Sequence, residues 1–445
     1  MLRAALLLLS GNVATSGLLF ARNLAVAALI PVEDYGIAAT FALAMAAVEM
    51  ASSFGLQQQI VQARDGDDPR LQDALTGFQL LRGVIAAAVL FALAGPLATF
   101  LDIPEVTWAY RLLALVPLLN ATQHFDIHRL NRDNRFGPLI ATNTLPSAVA
   151  LALIWPLAAW LGDWRVMLAA ILIHAVLTAV LSHAVAERPW RPVMDRVLWG
   201  RTIRFGWPIL LNALVLFLVF QADKLAVGRI LGLVPLGVFA MGVTLTLTPS
   251  LIAARTIQTA TLPRLSVAVG AHGFDRKANG TLVASMSAGL AVAVAGVVGG
   301  WLSAPFLRGT DWAGLTALLG PLAIVQGLRI AKSGSAIVGL ALGRSGNAVM
   351  SNLPRVVALI AGVAALAQGT DLLVLIWLGA VGEAAGFVLS AALVTWRDGV
   401  RWRMDQSIVF ATGVVLTILS LSWSPLLFGA GLALPLLALM HRKAA

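Results

Sequence analysis

About fourteen apolar stretches follow one another along this chain, each near the roughly 20 residues a helix needs to cross the hydrocarbon core of a bilayer. Cut at charged and turn-rich interruptions, they fall near residues 7–30, 37–61, 74–99, 107–129, 137–161, 164–186, 205–230, 238–262, 279–302, 314–342, 347–367, 372–395, 407–422 and 424–440. A water-soluble core cannot absorb so much apolar chain. Only 12% of the 445 residues are charged, about half the usual share of a soluble domain. The fold class expected is an all-α polytopic membrane protein with about fourteen transmembrane helices.

The interruptions alternate in sign. Arg64 and Arg70, Arg132 and Arg135, then Arg264, Arg276 and Lys277 follow even-numbered stretches, whereas Glu33 and Asp34, Asp102 and Glu105, and Asp163 follow odd-numbered ones. By the positive-inside rule both termini are expected in the cytoplasm, with short acidic outer loops. The net charge of +10 is spread between spans rather than gathered in one patch, which excludes nucleic-acid binding as its explanation. With no cysteine, disulfides, thiol nucleophiles and cysteine metal sites are excluded. The first 30 residues start like a secretory signal, but their hydrophobicity runs on through Ile30, so this segment is expected to be retained as a helix.

One stretch occurs twice. Ala222-Asp-Lys-Leu-Ala-Val227 matches Ala21-Arg-Asn-Leu-Ala-Val26, and at the same offset Gly237 matches Gly36 and Ala240 matches Ala39. The longest basic interruption, Glu187 to Arg204, precedes the second copy. The expected organisation is an N-terminal six-helix lobe at 1–186, a cytoplasmic inter-lobe linker at 187–204, a C-terminal six-helix lobe at 205–395, and a cytoplasmic loop with the final two helices at 396–445. Six is even, so the second copy re-enters the membrane in the same sense, the parallel-repeat plan of many transporters.

Charge inside the spans is the strongest functional signal. Arg22, Glu49, Arg82, Asp223, Lys224, Arg255, Arg329, Lys332, Arg355 and Glu383 all fall within them, and facing lipid they would together cost roughly 30 kcal/mol. Snorkelling rescues those near span ends, which is how Arg111, Arg229 and Arg355 are read. On the first span Asn12, Thr15, Ser16, Arg22 and Asn23 share a polar sector; on the tenth, Gln326, Arg329, Lys332 and Ser333 do so. Interhelical pairing, such as Glu49 with Arg22, Glu383 with Lys332 or Asp223 with Lys224, would satisfy some of these charges. The cations outnumber the anions, however, and an anionic ligand or a water-filled cavity would balance the remainder.

Other features have plainer readings. His124, Asp126 and His128 are expected at a solvated helix end rather than in a metal site, and His174 as a hydrogen-bonded interior histidine. Glycines 296, 299 and 300 follow no strand and are expected to pack helices together, while Pro146, Pro156, Pro208, Pro249 and Pro354 are expected to kink them.

Pro31-Val-Glu-Asp-Tyr-Gly36, Phe54-Gly-Leu-Gln-Gln-Gln-Ile-Val-Gln62, Trp190-Arg-Pro192 with Arg204-Phe-Gly206, Asp223, Gly228-Arg229-Ile-Leu-Gly232, Leu236-Gly237 and Thr261-Leu-Pro-Arg-Leu-Ser266 resemble, in order and spacing, the Wzx-type oligosaccharide flippases of the multidrug/oligosaccharidyl-lipid/polysaccharide exporter superfamily. The resemblance covers nearly the whole chain. Ala28 departs from it, standing where many relatives carry an arginine that this chain keeps only in its second half, as Arg229. The resemblance implies two six-helix lobes around a central cationic cavity. It further implies alternating-access transfer of a polyprenyl-diphosphate-linked oligosaccharide from the cytoplasmic to the periplasmic leaflet of a bacterial inner membrane, for O-antigen, capsule or exopolysaccharide synthesis. Arg22, Lys224, Arg255, Arg329 and Lys332 are then the candidates for contacting the anionic head group, with Glu49, Asp223 and Glu383 orienting those cations or binding a coupling ion, H+ or Na+. Membrane lipids and a polysaccharide assembly complex complete the partners. No catalytic residue, metal ligand or cofactor is nominated, and no ATP site is evident.

Three alternatives stay open. A drug antiporter of the same superfamily would favour an acidic cavity. A membrane glycosyltransferase or polymerase would call for a large catalytic outer loop, of which Asp102 with Glu105 is the nearest trace. A scaffold for polysaccharide assembly would have no use for charged spans.

Overall fold

The computed structural model describes residues 2–344, 346–402 and 404–421. It divides into two compact units, residues 1–237 and 238–445. The first contains α1 (Leu2–Leu29), α2 (Val32–Ala51), α3 (Leu56–Gln62), α4 (Pro69–Phe100), α5 (Thr107–Leu113), α6 (Leu115–Ala121), α7 (Asp126–Arg132), α8 (Gly137–Ala152), α9 (Ile154–Leu161), α10 (Arg165–Ala184) and α11 (Arg196–Ile230). α12 (Leu233–Ala268) begins at its end, and α13 (Phe274–Leu307), α14 (Leu315–Ala341), α15 (Gly346–Ala367), α16 (Leu372–Ala392) and α17 (Met404–Ser420) belong to the second. Among the described residues there is no strand.

Ten helical stretches among the described residues are long and apolar enough to cross a membrane, with shorter apolar helices at Val13–Leu29 and Asp405–Ser420. The expected fourteenth span, 424–440, lies outside the described residues, as do Arg442 and Lys443. The stretch 107–129, expected to be one helix, is instead three short ones. Pro117 stands in the first turn of α6, where its missing N–H costs nothing, and the preceding turn closes at Ala114. Pro156 likewise stands in the first turn of α9, and 137–161 breaks at Leu153.

Several interruption acids are helix caps. Asp68 accepts from the Arg70 amide at 2.9 Å ahead of Pro69, Asp195 from the Val197 and Leu198 amides at 3.0 and 3.1 Å, and Asp371 from the Leu373 amide at 3.3 Å. Each satisfies amides a helix start leaves without intrahelical partners.

Within the first unit, Phe41 on α2 packs edge-to-face on Tyr110 of α5 at 5.3 Å, in a core with Ile37, Leu113 and Leu168. The two loop glycines equated by the repeat meet here: a side chain on Gly36 would strike the Leu233 carbonyl, and one on Gly237 the Val32 carbonyl. Arg111 and Arg229, read as snorkelling, lie over the Phe91 and Phe100 rings at 5.5 and 5.6 Å.

The segment expected as a linker, 187–204, is non-helical only to Asp195, because α11 begins at Arg196. It is held firmly. Val193 donates its amide to Asp73 O at 3.1 Å, the Trp199 indole donates to Ala74 O at 2.9 Å, and Arg188 donates to Gln72 Oε1 at 3.0 Å. Arg201 pairs with Asp65 at 2.5 Å and, through that hydrogen bond, holds the Asp65 carboxyl below the usual carboxylate range.

His124, Asp126 and His128 are not solvated, contrary to expectation; all three are buried. Asp126 receives Arg129 Nε at 2.6 Å and the Glu187 and Arg188 amides at 2.8 and 3.3 Å. The carboxylate therefore ties α7 to the start of the segment 187–195 within the same unit, and its acceptor capacity explains its burial.

In the second unit α13 and α14 cross face to face at Gly289 and Gly327, where a side chain on either would meet the backbone of the other. Gly296, one of the packing glycines expected from sequence, faces Ala323 in the same seam. This close crossing fixes the face that α14 offers to α15 and α16.

Candidate functional site

α14 carries Arg329 and Lys332 three residues apart, hence on one helix face. α16 brings Glu383 against that face, and α15 brings Asn352 and Arg355, also three apart. Arg329 Nε donates to Glu383 Oε1 at 2.9 Å, Lys332 Nζ donates to Glu383 Oε2 at 2.6 Å, and Arg355 Nη1 donates to Glu383 Oε1. Lys332 Nζ also donates to Asn352 Oδ1 at 2.7 Å. Small residues permit the approach: a side chain on Gly386 would meet the Ser351 carbonyl and the end of Lys332, and one on Gly382 would meet α15 at Pro354 and Arg355.

The Glu383 side chain is fully buried, while those of Arg329, Lys332 and Arg355 retain 15, 9 and 11% of their exposure. One carboxylate thus serves three cations. Coulomb attraction to a buried carboxylate holds each cation in place. One turn before Arg329, Gln326 Oε1 is buried without a hydrogen-bond donor.

Arg355, read from sequence as snorkelling, is instead part of this cluster. Asn352 was missed; its signal was the three-residue spacing to Arg355, invisible as long as Arg355 was assigned to the helix end.

In the first unit, Arg22 on α1 has a buried Nε without an acceptor, and its charge acts on His174 of α10, which is hydrogen-bonded to Ser147 at 3.2 Å. Glu49 interacts electrostatically with Arg82, not with Arg22 as the sequence suggested. Asp223 accepts the Lys224 amide at 2.8 Å, and Lys224 Nζ donates to Gln221 Oε1 at 2.9 Å. In the second unit Arg255 is exposed on α12.

The family profile described as "Polysaccharide biosynthesis protein" matches residues 25–287, more than half of the chain. The chain belongs to this family. No curated protein matches it in sequence. Among solved structures, the lipid II flippase MurJ in an inward closed conformation is similar with a TM-score of 0.72 and 10% identity, covering 99% of this chain and 98% of that one. An inward-facing multidrug resistance MATE transporter of the MOP superfamily is similar with a TM-score of 0.70 and 14% identity, covering 86% and 94%. A MOP superfamily transporter from Pyrococcus furiosus, described as having a binding pocket of reversed polarity, follows at 0.58 and 14%, covering 89% and 95%. At these identities the likeness establishes the fold: this family member has the multi-pass helical fold shared by flippases and transporters of the superfamily.

Proposed function

We propose that this protein is a flippase moving a polyprenyl-diphosphate-linked oligosaccharide from the cytoplasmic to the outer leaflet of a bacterial inner membrane by alternating access, in polysaccharide synthesis. The observation that carries this reading is the buried cluster in which Arg329, Lys332 and Arg355 converge on the carboxylate of Glu383. Three cations converging on one buried place suit a diphosphate better than an organic cation. In this reading Arg329 and Lys332 attract the head group, Glu383 orients them, and Arg22, Lys224 and Arg255 serve the same anion elsewhere on its path, with Glu49 and Asp223 placing their neighbours. Both termini face the cytoplasm, and the inter-lobe segment lies on that side, consistent with its arginines.

The test is the leaflet distribution of lipid-linked oligosaccharide in cells lacking the protein, read by enzymatic accessibility from the periplasmic side. Complete units should accumulate facing the cytoplasm, and the Arg329→Ala/Lys332→Ala double variant should reproduce this while inserting normally. Units that reach the periplasm but fail to polymerise would instead favour a polymerase or scaffold.

A further inference from the structure

On the polar face of α14 one side chain is left without a partner. Every other polar side chain of this helix is engaged within the protein. Arg329 and Lys332 donate to Glu383, Thr316 to Ala313 O at 2.8 Å, Ser333 to Ile330 O at 2.6 Å, and Ser335 to Lys332 O at 2.9 Å. Gln326 is the exception. The residue is only 3% exposed, and its Oε1 is buried with no donor among the described residues. A buried carbonyl oxygen without a donor is destabilising, and such an exception in a packed interior points to a partner that arrives from outside the chain.

Position on the helix narrows what that partner is. Gln326 lies three residues before Arg329 and six before Lys332, so it shares their sector and sits about 4.5 Å along the axis from Arg329. None of the charged neighbours completes it. Arg329 gives its Nε to Glu383, Lys332 gives its Nζ to Glu383 and Asn352, and a carboxylate such as Glu383 only accepts.

The anion attracted by Arg329 and Lys332 cannot complete it either, because the oxygens of a diphosphate diester, like the amide oxygen of glutamine, only accept. The donor must therefore come from a group joined to the diphosphate. An isoprenoid chain has only C–H bonds. The sugar on the other side carries ring hydroxyls and, in amino sugars, an acetamido N–H.

We infer that Gln326 is a specificity-determining residue, accepting a hydrogen bond from an O–H or N–H of the sugar attached to the diphosphate. The inference deepens the proposed flippase function and rests on that reading for the diphosphate at Arg329 and Lys332. It lets the site tell a loaded carrier from an empty one. The cations attract both, but only the loaded carrier satisfies Gln326, and a site with a buried hydrogen-bonding group discriminates against a ligand that leaves it unpaired.

The test measures binding of two probes to the purified full-length protein in detergent. One is farnesyl diphosphate joined to N-acetylglucosamine; the other is the same diphosphate capped with a methyl group, which keeps the diester charge and removes the sugar. The wild type should prefer the sugar-bearing probe. Gln326→Met keeps the length of the side chain and removes the acceptor, so it should reduce that preference about tenfold, the scale of one hydrogen bond. Without ligand the variant should melt no lower than the wild type, because it loses an unpaired oxygen rather than a contact. Lys332→Met should weaken both probes alike. An unchanged preference in Gln326→Met, or a lower melting temperature of that variant without ligand, would overturn the inference. If Lys332→Met weakens both probes while Gln326→Met leaves the preference intact, this inference falls and the head-group reading stands; if Lys332→Met weakens neither, the head-group reading falls and takes this inference with it.

Discussion

Neutralising Glu383 should be far more damaging than removing any one of its partners. Its carboxylate is fully buried and holds Arg329, Lys332 and Arg355. In Glu383→Gln the shape is nearly kept, but three cations on the order of 5 Å apart lose their shared counter-charge. At an effective dielectric constant of about 20 each cation pair repels by ~3 kcal/mol. Truncating one partner of a buried ion pair costs about 3–5 kcal/mol, and here the lost partner served three groups, so the expected loss is at least that large. Lys332→Met, by contrast, removes one cation and leaves Glu383 with two arginines; Asn352 and one carboxylate oxygen each lose a donor, at about 1–2 kcal/mol. Equilibrium unfolding in mild detergent measures both. Inorganic pyrophosphate should recover part of the loss in Glu383→Gln, by about 2.7 kcal/mol at a hundredfold excess over its Kd. The reasoning is refuted if Glu383→Gln is no less stable than Lys332→Met, or if pyrophosphate stabilises neither the wild type nor the variant.

Three further expectations follow from the geometry. Gly289→Val should push α13 off the Gly327 backbone and cost about 1–3 kcal/mol by overpacking; detergent melting curves will show it, and an unchanged melt would contradict the close crossing. Asp126→Asn removes the charge that holds Arg129 and weakens acceptance of the Glu187 and Arg188 amides, so limited proteolysis should open residues 187–195 at least several-fold faster, and equal cleavage would disprove the tie. The Asp65–Arg201 pair should act only above acid pH: because the folded carboxyl pKa is depressed by Arg201, its stabilisation is full above the unfolded value and fades as pH falls through the folded one. Being a surface pair it contributes at most about 1 kcal/mol, so the stability difference between wild type and Arg201→Gln should vanish in acid, and a difference that persists there would contradict the assignment.

Hydrophobic spacing and the sign of the interruptions determined by themselves that this is a helical membrane protein, where most of its helices run, and that cations exceed anions within the spans. Both are local properties of a chain that must satisfy its own backbone in lipid. Periodicity also placed Arg329 and Lys332 on one face, because helix geometry is fixed over a few residues. It could not place Glu383 against them, since residues 329, 355 and 383 lie on three different helices and meet only through the packing of α14, α15 and α16. For the same reason Arg355 looked like a helix-end residue, and Glu49 looked like a partner for Arg22 when its charge acts on Arg82. The breaks at Ala114 and Leu153 were hidden behind unbroken apolar runs, with Pro117 and Pro156 as the only signs. Asp126 looked solvated because two of its partners, the amides of Glu187 and Arg188, lie some sixty positions away. That charge falls within the spans of a membrane chain is thus set by sequence; which of those charges are buried and which of them touch is decided by tertiary packing, because only packing brings distant helix faces within hydrogen-bonding distance.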